Sequence, residues 1–233
     1  MGSSSTAEKN ILILYFSYSH QTKNLLQAMS RGMDDHPVKV MLQRIEPTQR
    51  LQFPIGTVPK TFWKMVCTLF RQRTPIKSLP ESCFNHFDLV ILAGPTWSYN
   101  PSGPILSLFD RDGKALFNDQ LVVPLISCRG YWRLHWWGLK SLLSKCGATV
   151  PNLIVFSHPS KEPWRTVGVF MKLAGKVPER MSWMKKHYHK YGHTRAQIAE
   201  ARNFGEQIAH ALVKGEDLGN LEFKTGPALY SKS

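Results

Sequence analysis

Ile11-Leu12-Ile13-Leu14-Tyr15-Phe16 is an unbroken apolar run. The polar turn Ser17-Tyr18-Ser19-His20-Gln21-Thr22 follows it, and then a helical pattern that sets Leu25, Leu26 and Met29 on one side. A short apolar run bounded by a turn reads as a strand buried on both faces, as in parallel sheets. A strand, a hydroxyl-rich turn and a helix in that order make an anion site. The first N–H groups of a helix have no intrahelical acceptor and lie at the positive end of its dipole. Ser and Thr hydroxyls add donors, so a phosphate suits the turn; the plain alternatives are a βα turn with no ligand, or another anion.

Outward from this unit the same signals repeat. Gly32 is placed to cap the first helix. Val38–Leu42 alternates and reads as a second strand, nearer a sheet edge. Phe87–Ala93 reads as a third, buried strand running into Gly94-Pro95-Thr96-Trp97-Ser98-Tyr99-Asn100-Pro101. A short helix turns Ile105, Leu108 and Phe109 inward. Leu121–Ser127 is a fourth strand, although Pro124 removes one ladder donor, and Cys128-Arg129-Gly130-Tyr131-Trp132 is its exit turn. A helix carrying Leu139, Leu142, Leu143 and Cys146 stops at Gly147, and Leu153–Phe156 is a fifth strand. The last helix opens on the capping-box spacing of Thr194 and Gln197, buries Ala201, Phe204, Ile208, Ala211 and Leu212, and ends at Gly215. Strands alternating with helices predict a parallel sheet covered on both faces.

The opening turn resembles the phosphate-binding loop of the flavodoxin family. Ile13, Leu14, Tyr15, Ser17 and Thr22 match that pattern; His20 stands where a small residue, usually Gly, is found, and Leu26 where Ala is usual. A left-handed turn position strains a non-Gly residue, though His is among the more tolerant types. Phe87–Trp97, FDLVILAGPTW, resembles the family's second motif. The likeness spans residues 10–157 and the final helix. The Cys128–Trp132 loop and the long insertion after the fifth strand look like those of flavodoxin-like NAD(P)H-dependent oxidoreductases.

The resemblance implies an α/β, flavodoxin-like three-layer sandwich: a five-stranded parallel sheet of order 2-1-3-4-5, with the ligand at the carboxyl ends of strands 1 and 3. It implies an FMN-binding oxidoreductase that passes electrons from NAD(P)H through flavin to a quinone-like or other small acceptor. The flavin carries the chemistry, so no catalytic side chain and no metal is implied. The implied cofactor contacts are Ser17, Tyr18, Ser19, His20, Gln21 and Thr22; Pro95, Thr96, Trp97, Ser98 and Tyr99; and Ser127, Cys128, Arg129, Gly130, Tyr131 and Trp132. Trp97 would cover one face of the ring, with Tyr131 or Trp132 opposite. Two other readings stand beside this one: an electron carrier without its own nicotinamide site, and a flavin-free scaffold that binds through a basic face.

Composition adds location. Of a formal net charge of +14, residues 54–80 hold +5 and residues 158–193 hold +6, leaving +3 for the rest. A nearly balanced 10–215 domain thus carries two basic insertions, between a flexible 1–9 lead and a polar, irregular 216–233 tail. Thr61–Arg73 reads as a basic amphipathic helix with Phe62, Trp63, Val66, Leu69 and Phe70 on its stripe. Residues 158–193 hold two helical patterns: Trp164, Val167, Met171 and Ala174, then Met181, Met184, Tyr188 and Tyr191. These basic segments would either lie on an anionic membrane, pack on the domain, or form a homodimer contact. Nucleic-acid binding would rest on charge alone. His187, His189 and His193 read as a solvated face, and the four widely spaced cysteines as free thiols. No apolar run approaches the length of a spanning helix, and no signal-peptide pattern opens the chain, so a cytoplasmic protein, peripheral at most, is expected.

Overall fold

The computed structural model describes residues 8–188 and 191–229. The elements, in order, are β1 (Lys9–Tyr15), α1 (Gln21–Met33), β2 (Val38–Arg44), α2 (Val58–Leu69), β3 (Leu89–Trp97), β4 (Asn100–Pro101), α3 (Gly103–Phe117), β5 (Val122–Cys128), α4 (Trp132–Lys145), β6 (Ile154–Ser157), α5 (Trp164–Leu173) and α6 (Arg195–Lys214). The sheet runs β2-β1-β3-β5-β6, with every neighbour parallel, and β4 pairs antiparallel with β3. Without the two-residue β4, this is the order 2-1-3-4-5. β4 exists because β3 continues past its apolar run to Trp97. Ser98 and Tyr99 then take φ of 42° and 69° and fold the chain back, a pair of left-handed residues as in a two-residue hairpin.

Successive residues of β1 feed opposite layers. Ile11 and Ile13 join Leu25 and Met29 of α1 and Phe204 and Ile208 of α6. Leu12 and Leu14 join Leu108 of α3 and Leu139 and Leu143 of α4. Pro124 is harmless in β5. Two residues earlier, the Val122 N–H donates to Thr149 O on the outer side of the strand. The missing donor of Pro124 faces that same side, where pairing with β6 starts only at Leu125.

Gly32 does not cap α1. The helix continues to Met33 with Asp34 as its C-cap, and Gly32 is instead the point where α1 meets α6. The expected helix at 61–73 starts earlier and ends at Leu69. Thr57 caps it, and the left-handed Arg71, φ 58°, prevents its continuation. The second helical pattern of the 158–193 segment is not an α-helix: a 3-10 turn at Pro178–Arg180 leads into a run of turns. Met184 and Tyr188 are still buried, against Val169 of α5. Beyond α6 the chain is irregular but not detached. Leu218, Phe223 and Ala228 are buried, and Ala228 O accepts the Ser157 N–H at 3.0 Å. The lead before residue 8 lies outside the described residues.

Candidate functional site

A cavity of about 410 Å³ opens at the carboxyl ends of β1, β3 and β5, a size within the range of small-molecule sites. Its floor is the β1–α1 turn. Ser17 and Thr22 are buried there. Ser17 Oγ accepts the Lys23 N–H at 3.3 Å, which leaves the hydroxyl hydrogen of Ser17 unspent on that bond. The first intrahelical donor is Asn24 N–H, to His20 O at 3.0 Å; the amides before Lys23 are first-turn donors with no acceptor inside the helix. His20 takes the left-handed conformation, φ 63°, as N-cap of α1. It is exposed and does not line the cavity.

One wall is Trp97 at the end of β3. Its ring meets Phe16 and Tyr18 edge-on, at centroid distances of 5.5 Å and 5.6 Å. The Tyr18 hydroxyl donates to Gln52 O, which fastens the 51–55 loop beside the cleft. Burial, reinforced by Tyr191 nearby, pushes the Tyr18 phenol up to about 12. Thr96 and Ser98 serve the wall differently. Thr96 Oγ1 lies 2.7 Å from Nδ1 of the buried His135, whose pKa burial lowers to about 3. Ser98 Oγ lies 2.7 Å from Thr68 Oγ1 and donates to Met65 O at 2.9 Å, pinning α2 to the β3–β4 hairpin.

Residues of the basic insertions line the cavity as well, beside those at the end of β5. Tyr191 OH is 3.1 Å from Ser19 Oγ, and the His193 N–H donates to Gln21 Oε1 at 3.1 Å. Gly192, φ 116°, lies so close to Gln21 that a Cβ there would be 2.7 Å from its amide oxygen. Residues 191–193 therefore run straight across the turn that opens α1. Glu179 holds this strap by accepting the Tyr191 N–H at 3.1 Å. Ile55 N–H donates to Leu173 O at 2.8 Å, so the two basic insertions join each other beside the cleft.

Of the residues inferred from sequence, Ser17, Tyr18, Ser19, Gln21, Thr22, Pro95, Thr96, Trp97, Ser98, Ser127, Cys128 and Arg129 all line the cavity. His20, Tyr99, Gly130, Tyr131 and Trp132 do not. The space beside Gly130 is filled: a Cβ there would meet Arg165 Nη1 at 2.4 Å. That same guanidinium lies over the Tyr131 ring at 5.6 Å, and Tyr131 also packs against Tyr99.

Sequence reasoning missed Leu51, Ile55, Lys60, Trp63, Lys64, Val169, Leu173, Tyr191 and His193 in the lining. Their one legible signal was charge, since most lie in the two basic segments. Lys60, Lys64 and Arg129 line the cavity, and no carboxylate does among the described residues. Burial pushes the Cys128 thiol up to about 12, so it stays protonated. The histidine cluster is dispersed: His187 stacks on Trp164 at 4.5 Å, His193 faces Ser127, and His189 lies outside the described residues. His187 is exposed, as a solvated face requires, whereas the His193 ring is buried. Among the described residues no group of three or more His, Cys, Asp or Glu is arranged to hold a metal, and no helix is long and apolar enough to cross a membrane.

The cavity thus sits at the point where the strand order reverses, between β1 and β3. The chain has the flavodoxin-like fold. No family model matches its sequence. Solved structures similar to it include a flavoprotein in complex with FMN from Lactobacillus acidophilus, 18% identical over 62% of this chain and 91% of that one, with a TM-score of 0.45. A flavodoxin, WrbA-like protein from Agrobacterium tumefaciens is 14% identical over 88% of this chain and 98% of that one, TM-score 0.48. A flavodoxin from the domain Archaea is 13% identical over 87% and 98%, TM-score 0.46.

Proposed function

We propose that the protein is an FMN-dependent oxidoreductase that takes electrons from NAD(P)H and passes them to a flat, apolar acceptor of the quinone class. One observation carries the reading. Ser17, Ser19, Gln21 and Thr22 of the turn that opens α1, and Trp97 at the end of β3, all line a single cavity at the switch point. That donor set fits a phosphate monoester, and the aromatic wall beside it fits a fused ring.

When bound, the flavin supplies hydride and electron transfer. The chain's own residues do the rest. Ser17, Ser19 and Thr22 would hold the phosphate, and Trp97 would bound the ring. Lys60, Lys64 and Arg129 give the acid-free cleft a positive potential that suits the phosphates of a nicotinamide nucleotide. Leu51, Ile55, Trp63, Val169 and Leu173 form an apolar flank that excludes water and suits an acceptor without charge. His20 is exposed and outside the lining, so its imidazole does not stand in the way of a phosphate. The strap at 191–193 and helix α2 cover the cleft, which speaks against a bare carrier that must present its flavin edge to a large partner.

Titration of the purified protein with FMN and with riboflavin tests this. Tight FMN uptake, with riboflavin at least about tenfold weaker, is expected from loss of the charge-assisted phosphate bonds. NAD(P)H oxidation should then depend on an added benzoquinone. No FMN uptake overturns the reading.

A further inference from the structure

Helix α2 turns its apolar stripe away from the protein. Phe62 is 63% exposed, Trp63 68% and Phe70 80%, while the helix buries Thr61 and Thr68 instead. The first half of α4 does the same: Trp137 is 76% exposed, and Leu134 beside it is exposed too. The two faces are one surface. Asn100 Nδ2 donates to Thr68 O and Leu69 O at 3.2 Å and 3.0 Å, tying the end of α2 to β4. Gly138 of α4 lies against Pro101 and Arg71, with 3.9 Å from its Cβ position to Arg71 Nη1. Tyr99 and Tyr131 bridge the gap with ring centroids 5.5 Å apart.

Cations flank these aromatics along the chain, and the two stretches that carry them are free of acids. Residues 47–80 contain six Lys or Arg and no Asp or Glu; residues 120–161 contain five and none. Arg71, Arg133 and Lys140 are interleaved with Phe70, Leu134 and Trp137. Two ion pairs border the face: Arg73 with Asp110 of α3 at 2.7 Å, and Arg165, whose guanidinium lies over Tyr131, with Glu162 at 2.9 Å. A contiguous exposed apolar patch of this kind marks a docking surface. Its occupant must offer an apolar layer to the aromatics and negative charge to the cations. A second copy of the face would set cation against cation. An anionic bilayer supplies both needs, since Trp, Phe and Leu settle at the level of the acyl boundary while Lys and Arg meet the headgroups.

We propose that this face, formed by α2, the β3–β4 hairpin and the start of α4, docks the protein on the surface of an anionic lipid bilayer. Trp63 belongs both to this face and to the cavity lining. Docking therefore brings the cleft mouth to the lipid, and, resting on the oxidoreductase reading, makes the acceptor a lipid-borne one.

Cosedimentation of the full chain, without added flavin, with vesicles of phosphatidylcholine alone or with about 30% phosphatidylglycerol tests the docking. Binding to the anionic vesicles at low salt is expected, with loss at roughly 0.5 M salt as the charges are screened. The double variant Phe70→Ser/Trp137→Ser, whose residues lie outside the cavity, should bind at least about tenfold more weakly with an unchanged circular dichroism spectrum. The proposal is overturned by no binding at low salt, by equal binding to neutral vesicles, or by a double variant that binds like the parent. It is also overturned if the double variant only dissolves a dimer seen in sedimentation velocity. FMN uptake plays no part in this readout, so either reading can fail alone.

Discussion

Ser127 Oγ lies 3.0 Å from Nε2 of His193. Ser127 is near the end of β5 and His193 is the last residue of the strap, so this contact fastens the insertion to the sheet. The bonding around the ring fixes its protonation. Gln197 Nε2 donates to Ser157 O at 2.7 Å, which turns Gln197 Oε1 toward His193 Nδ1, 3.2 Å away. Nδ1 therefore carries the proton, and Nε2 accepts the Ser127 hydroxyl. A proton added at Nε2 would break that bond.

The first prediction follows from this contact. Burial lowers the His193 pKa from 6.5 to about 4. Between these values the unfolded chain binds a proton that the folded chain does not, so stability rises with pH across the window and is lost as pH falls. The effect amounts to at most about 3 kcal/mol. Thermal melts from pH 7.5 to 4 should show a falling Tm for the parent chain and a shallower fall for His193→Gln. Equal slopes would show that the histidine is not held neutral.

The sheet was legible because its signals are local. Apolar runs at 11–16, 87–93, 121–127 and 153–156 each mark a strand by themselves, and the capping box at Thr194 and Gln197 forms as its spacing implies. The floor of the cleft was legible for the same reason, since a strand, a turn and a helix suffice to place Ser17 and Thr22. The far wall was not. The stripe of Phe62, Trp63 and Phe70 has helical spacing, but periodicity does not say whether a stripe faces protein or solvent. The neighbour of Gly130 was not legible either: the space beside it holds Arg165, which lies far along the chain. The 178–188 segment failed as a helix because its pattern residue Tyr188 is held by a distant partner: it stacks on His158 with ring centroids 5.1 Å apart.

Replacing the hydroxyls at the floor of the cleft should separate phosphate binding from ring binding. Ser17→Ala should weaken FMN by about 1–2 kcal/mol, roughly tenfold in Kd, because it removes one donor to a charged acceptor. Riboflavin affinity should stay within about twofold, since riboflavin lacks the phosphate. Fluorescence titration with both ligands reads this. An equal loss for both would place Ser17 at the ring or implicate the fold.

Glu162 is expected to matter for stability out of proportion to its exposed neighbours. Arg165 is buried and its Nε donates to Glu162 Oε1 at 2.9 Å. Thr166 adds its own N–H and hydroxyl, at 3.1 Å and 2.9 Å. Burial alone would raise the Glu162 carboxyl; the bonds from Arg165 and Thr166 outweigh it and hold the group below its ordinary range. Stability from this carboxylate is therefore present above the usual Glu pKa and is lost as pH falls through the lowered one. Glu162→Ala leaves a buried guanidinium without its partner and should cost about 3 kcal/mol in urea unfolding. Removing both partners together should cost less than the sum of the two single changes.

The crossing of α1 and α6 sets the last prediction. A Cβ on Gly32 would lie 2.0 Å from Arg202 O, and one on Gly205 2.0 Å from Met29 O. Both contacts are with backbone, so no rotamer change relieves them and the helices must part. Alanine favours a helix over glycine by about 1 kcal/mol, yet overpacking of this kind costs about 1–3 kcal/mol or more. Steric cost wins because two rigid helices have to move. Gly205→Ala should therefore lower the urea midpoint with an unchanged m-value. α1 also carries the phosphate turn at its N-terminus, so a shifted helix should weaken FMN binding as well. A variant as stable as the parent would mean that the two helices sit farther apart than the glycines imply.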